Sequence, residues 1–267
     1  MNRIEIDGAR LEVLTIPAPD GGTRRTPIVF LHEGLGSVAM WRDWPATVCR
    51  ATGRSGLVYS RRGYGQSDPT PDSRGAPALA GTTRCGRLQP DYLHHEALVV
   101  LPALLRHLGL ARPILLGHSD GASIALIHAS RFPVAACIAM APHVMVEDVS
   151  IAAIEQARAA FETGDLRERL ARYHANVDCA FWQWNDVWLS SAFRSFDIRD
   201  DCRRIEAPVL ALQGTDDAYG TLAQIEQINV PQSVVTRSVI AQCGHSPQRD
   251  QPEQTTRLVR DFLASVG

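Results

Sequence analysis

The chain has 267 residues, 45% of them hydrophobic, and a formal charge of −2; it contains no lysine, so all 27 formal cations are arginines. That balance gives no reason to expect nucleic acid or an anionic membrane surface as a partner. The absence of lysine excludes Schiff-base chemistry, a pyridoxal-phosphate anchor and a Walker P-loop.

Residues 2–16 alternate around Gly8 and predict a β-hairpin with Ile4, Ile6, Leu11, Val13 and Leu14 as its apolar positions. A polar turn, Pro19-Asp20-Gly21-Gly22, follows. Pro27 to Leu31 is a continuous apolar run of buried-strand type, ending in the loop His32-Glu33-Gly34-Leu35-Gly36-Ser37. Gly56 to Ser60 predicts the next strand, leading into Arg61-Arg62-Gly63-Tyr64-Gly65-Gln66-Ser67. Asp68 to Pro90 reads as a long loop. Asp91 then caps a helix running to about Leu108, with a kink expected at Pro102.

The next strand ends at Leu116, and Ala135 to Met140 predicts another. Between Val144 and about Glu206 the rhythm changes to three helices, Ser150–Phe161, Asp165–Tyr173 and Phe181–Leu189, with no strand between them. Strands return at Pro208–Leu212 and Val234–Thr236, and a last helix runs from Pro252 to about Leu263. Alternating strands and helices predict a parallel sheet covered on both faces. The expected organisation is an α/β core of residues 1–144 and 206–267, with a helical cap of residues 145–205 over the sheet edge.

Six scattered cysteines (Cys49, Cys85, Cys137, Cys179, Cys202, Cys243) contain no C-x-x-C pair and fit neither a disulfide framework nor a zinc site. The first residues lack the apolar core of a signal peptide, and no run approaches the length of a membrane span. A reducing cytoplasm is the expected compartment.

The chain is organised around Gly117-His118-Ser119-Asp120-Gly121, between an apolar run and a helix beginning near Ala122. A serine flanked by glycines in that context predicts a nucleophile elbow, where a sharp turn lifts the hydroxyl above the sheet. A serine hydroxyl needs an imidazole to take its proton, and the imidazole needs a carboxylate on its far nitrogen. Downstream come Gln213-Gly214-Thr215-Asp216-Asp217 and then Cys243-Gly244-His245, each just past a predicted strand, where open α/β sheets collect ligands.

These features together resemble the α/β-hydrolase superfamily over nearly the whole chain. The resemblance rests on five ordered stretches: His32-Glu33-Gly34, Arg62-Gly63-Tyr64-Gly65-Gln66-Ser67, the elbow, the Gly214-x-x-Asp217 turn and Gly244-His245. It implies the α/β-hydrolase fold, with Ser119 as nucleophile, His245 as general base and Asp217 as the acid, adjacent Asp216 being the rival. It implies an oxyanion hole from the N–H of Asp120 and one from the His32 loop, by position Gly34, with Leu35 as the second choice. The family usually has glycine where Glu33 stands. Glu33 is expected either in a structural hydrogen bond or salt bridge outside the pocket, or in contact with substrate.

Trp182, Trp184 and Trp188, with Phe181, are expected as core of the helical insertion, some of them lining an apolar acyl pocket. His94 and His95 are neighbours on a helix and so point about 100° apart, which argues against a metal site. The resemblance implies a cofactor-free serine hydrolase acting on a small-molecule ester or thioester. The same fold also serves lactone and C–C bond hydrolases, and small-molecule receptors with silent sites; Ser246, where ring-cleavage hydrolases usually carry tryptophan, counts against the C–C branch. Oligomeric state is not legible.

Overall fold

The computed structural model describes residues 2–19, 25–80 and 83–266. Most of the expected turn at Pro19–Gly22 therefore lies outside the described residues.

The strands are β1 (Asn2–Ile6), β2 (Ala9–Ile16), β3 (Ile28–Leu31), β4 (Gly56–Tyr59), β5 (Pro77–Ala80), β6 (Thr83–Gly86), β7 (Ile114–His118), β8 (Ala136–Met140), β9 (Val209–Gly214) and β10 (Val235–Ile240). Eight of them form one sheet in the order β1-β2-β4-β3-β7-β8-β9-β10. The β1–β2 and β2–β4 pairs are antiparallel, and every other pair is parallel. This is the α/β-hydrolase fold.

The continuous apolar runs follow from burial on both faces. Val29 and Leu31 of β3, Leu115 of β7, Cys137 of β8 and Val209 and Ala211 of β9 enter one core. The alternate residues Ile28, Phe30, Leu116, Ile138, Leu210 and Leu212 enter the other, with Trp44, Val48, Val259 and Phe262. The period of two thus divides each strand between layers. Helices α1 (Trp44–Thr52) and α11 (Pro252–Ser265) cover the second core. On the opposite face lie α2 (Tyr92–His95), a π-helical turn (Glu96–Val100), α3 (Leu101–His107) and α4 (Asp120–Ala129).

Two expectations change in detail. The loop after Asp68 contains the antiparallel hairpin β5–β6. The disturbance expected at Pro102 takes the form of a π-helical turn just before it. Proline has no N–H for the preceding turn, so the hydrogen-bond register shifts there.

Between β8 and β9 come α5 (Asp148–Thr163), α6 (Leu166–Ala171), α7 (Val177–Trp188) and the short α8 (Arg199–Cys202). The only strand-like pairing described there is one bridge, Met145 to Asp197. After β9 come α9 (Ala223–Glu226) and, beyond β10, α10 (Pro247–Asp250). The six cysteines form no disulfide. Among the described residues no helix is long and apolar enough to cross a membrane.

Candidate active site

Ser119 sits at the junction of β7 and α4 with φ 54 and ψ −119, a strained left-handed conformation for a non-glycine residue. Its turn closes because the flanking residues are glycines. A Cβ at Gly117 would lie 2.1 Å from the Gly121 carbonyl oxygen, and one at Gly121 would lie 2.1 Å from that of Leu31. The Ser119 N–H donates to the Met140 carbonyl, and its own carbonyl accepts from the Ala122 and Ser123 N–H groups.

The ends of three strands bring the reactive groups together. Ser119 Oγ is 2.9 Å from His245 Nε2, and His245 Nδ1 lies 2.9 and 2.8 Å from the two carboxylate oxygens of Asp217. Asp217 is the carboxylate that meets the imidazole; the exposed side chain of Asp216 accepts from the Thr215 hydroxyl instead. The Tyr219 N–H and Gln213 Nε2 also donate to Asp217, at 2.8 and 2.7 Å. Burial opposes ionisation of Asp217, but the hydrogen bond and charge of His245 outweigh it and hold the carboxyl below its usual range. The Nδ1–H tautomer then leaves Nε2 free to accept from Ser119.

Gly34 lies in the loop after β3, and Asp120 opens α4 directly after Ser119. Among the described residues neither the Gly34 N–H nor the Asp120 N–H meets an acceptor. Trp184 closes over the loop: a Cβ at Gly34 would lie 2.2 Å from its indole nitrogen. The Trp188 N–H donates to the Tyr92 hydroxyl at 2.9 Å, and that hydroxyl donates to Asp120 Oδ2 at 2.5 Å. The Trp182 ring is half-buried, packed on Phe161 and Phe181 with the Arg74 guanidinium 3.9 Å above it. Ser119 itself is only 6% exposed.

The Glu33 carboxylate turns back to 3.5 Å from His118 Nδ1. His118 Nε2–H donates to the His245 carbonyl at 2.6 Å. Burial opposes the Glu33 charge, but the hydrogen bond and charge of His118 prevail and lower its pKa to about 2. Gln248 Nε2 also stands 3.0 Å from His118 Nδ1, while its Oε1 is buried without a partner. The Glu33 side chain thus has a structural neighbour in His118.

His143 carries no sequence signal, yet its ring lies 5.6 Å from that of His245 and 4.9 Å from that of Trp188. Its Nδ1 is buried without a hydrogen bond. Burial, then the charge of His245, lower its pKa from 6.5 to about 3. The native state thus excludes a proton that the unfolded chain binds below about 6.5, and this contribution to stability is present above that pH and lost as pH falls toward 3. Urea unfolding of wild type and His143→Phe between these limits is expected to diverge by ~1.4 kcal/mol per pH unit. Parallel curves would show that His143 is not held neutral.

His94 and His95 face different carboxylates, Asp201 at 3.4 Å and Asp7 at 3.5 Å. Among the described residues no group of three or more His, Cys, Asp or Glu could hold a metal ion.

A model described as the alpha/beta hydrolase family matches residues 28–258. The chain is similar in structure to the enol-lactonase from Burkholderia xenovorans LB400, with 18% identity, a TM-score of 0.71 and coverage of 98% of this chain and 99% of that one. It is similar to a thermophilic esterase from Thermogutta terrifontis, with 21% identity, a TM-score of 0.68 and coverage of 100% and 99%. It also resembles the proline iminopeptidase of Mycobacterium smegmatis, with 18% identity, a TM-score of 0.69 and coverage of 99% and 98%. At such identities the likeness is one of fold.

Proposed function

We propose, on the premise that this chain belongs to the alpha/beta hydrolase family, that it is a serine hydrolase cleaving a small carboxylic ester or thioester through an acyl-enzyme. The unbroken hydrogen-bonded line from Ser119 through His245 to Asp217 is the observation that carries this reading. Ser119 Oγ attacks the substrate carbonyl while His245 Nε2 takes its proton. The Gly34 and Asp120 N–H groups receive the oxyanion, the stabilisation worth most in such a step. His245 then protonates the leaving group, and the acyl-enzyme forms. Water, deprotonated by the same imidazole, releases the acid and restores Ser119. Asp217 holds the tautomer and balances the imidazolium. No cofactor enters.

The helices of residues 145–205 act as the cap, with Trp184 and Trp188 bounding the acyl site. Lactones belong in the same substrate panel, since ring opening is the same acyl transfer with the leaving alcohol still tethered. A fluorophosphonate probe followed by intact mass is expected to give one adduct on the wild type and none on Ser119→Ala or His245→Ala. An unmodified wild type would overturn an activated serine.

A further inference from the structure

The Arg61 side chain is 5% exposed and enters the site through contacts with main chain. Its Nη2 donates to the Glu33 carbonyl at 2.9 Å and its Nη1 to the His32 carbonyl at 2.5 Å. The Glu33 carbonyl also accepts from His32 Nδ1 at 2.7 Å and from the Gly36 N–H at 3.1 Å. That carbonyl and the Gly34 N–H belong to one peptide unit. In a trans peptide the two point in opposite directions, so fixing the oxygen aims the N–H. Charge-assisted donation to the oxygen also polarises the unit, making the N–H a stronger donor.

The neighbouring peptide is treated differently. The Leu35 N–H shares its unit with the Gly34 carbonyl, which accepts no hydrogen bond among the described residues. The same guanidinium reaches the second donor as well: Arg61 Nη2 is 3.8 Å from Asp120 Oδ2, the oxygen that accepts from Tyr92. His32 completes the clamp, since its Nε2 accepts from the Arg61 N–H at 3.0 Å and so leaves the proton on Nδ1 for Glu33.

We propose that Arg61 is a positioning residue for the oxyanion hole, fixing the peptide of Gly34 through its carbonyl and bracing Asp120 through its carboxylate. This rests on the hydrolase reading above. It also assigns the first donor to Gly34 in preference to Leu35. Arg61 touches no reacting atom; its effect passes entirely through the N–H groups it orients.

Arg61→Lys keeps a cation beside Asp120 but cannot present two parallel N–H donors to neighbouring carbonyls. With p-nitrophenyl butyrate, the variant is expected to lose about 10- to 100-fold in kcat with KM within about threefold, since a whole oxyanion donor is worth roughly 10²–10³. A trifluoromethyl ketone, whose adduct places an oxyanion in the same hole, should bind more weakly by the factor lost in kcat/KM. A merely structural role would lower the amount of active protein without moving that inhibition constant per fluorophosphonate-titrated site. Should Arg61→Lys not fold, His32→Leu removes the ring donor from the same carbonyl and carries the same expectation. A folded variant with kcat/KM and the inhibition constant both within about twofold of wild type overturns the clamp. Labelling separates the two readings: a labelled wild type beside an unaffected variant overturns the clamp alone, whereas an unlabelled wild type overturns both.

Discussion

Ser119→Ala is expected to leave a folded protein whose turnover of an activated ester falls by about 10⁶-fold. The size follows from the role. Without the hydroxyl no acyl-enzyme forms, and neither His245 nor the N–H groups of Gly34 and Asp120 has a bound nucleophile to assist. The fold should survive because Ser119 holds its turn by backbone: its N–H reaches Met140, and its carbonyl serves Ala122 and Ser123. Its side chain donates to His245 at 2.9 Å, and alanine meets the φ of 54 with a Cβ no larger than that of serine. Thermal unfolding within a few degrees of wild type, together with residual turnover at the background rate, is the expected pair of measurements. A folded Ser119→Ala protein that kept wild-type turnover would end the proposal. His245→Ala should match it closely, because the two groups act as a unit and their losses do not add.

Much of this arrangement was legible because it lies along the chain. The elbow is written in consecutive residues, and its glycines are demanded by backbone approaching backbone: Gly121 against Leu31, Gly117 against Gly121 itself. Both-face burial of the sheet is likewise written in apolar runs such as Ile114–Leu116, with every residue buried. The β5–β6 hairpin was not legible. Its residues lack alternation, and its Leu79 is 68% exposed, so no apolar pattern marked a strand held by main-chain pairing. Arg61 and His143 escaped for another reason. Arg61 acts on carbonyls 28 and 29 positions away, and backbone acceptors leave no trace in side-chain identity. His143 becomes part of the site only when β8 brings its end beside β9 and the chain returns as His245. The approach of the Glu33 carboxylate to His118 likewise depends on where that ring faces, 85 positions away in the chain.

Asp217→Asn should lower kcat by about 10⁴-fold, whereas Asp216→Asn should stay within about twofold of wild type. The contrast matters because the two residues are adjacent and chemically identical, so composition and local charge are controlled. Asp217 already accepts from Gln213 and Tyr219 on its outer side, while both oxygens lie within 2.9 Å of His245 Nδ1. The Tyr219 N–H holds one oxygen and Gln213 Nε2 the other, so an asparagine there keeps its oxygen on only one of these donors and turns its amide N–H₂ toward the imidazole. Nδ1 must then accept, the ring proton moves to Nε2, and the nitrogen facing Ser119 Oγ can no longer take a proton from it. Geometry survives and the tautomer is inverted, so the loss should fall on kcat with little change in KM or unfolding temperature. Asp216 offers its carboxylate only to the Thr215 hydroxyl on the exposed side of the turn, and its backbone N–H, which donates to Cys243, is untouched by the substitution. The reverse pattern, an inert Asp217→Asn and a disabled Asp216→Asn, would require the turn after β9 to shift by one residue and would remove Asp217 from the mechanism.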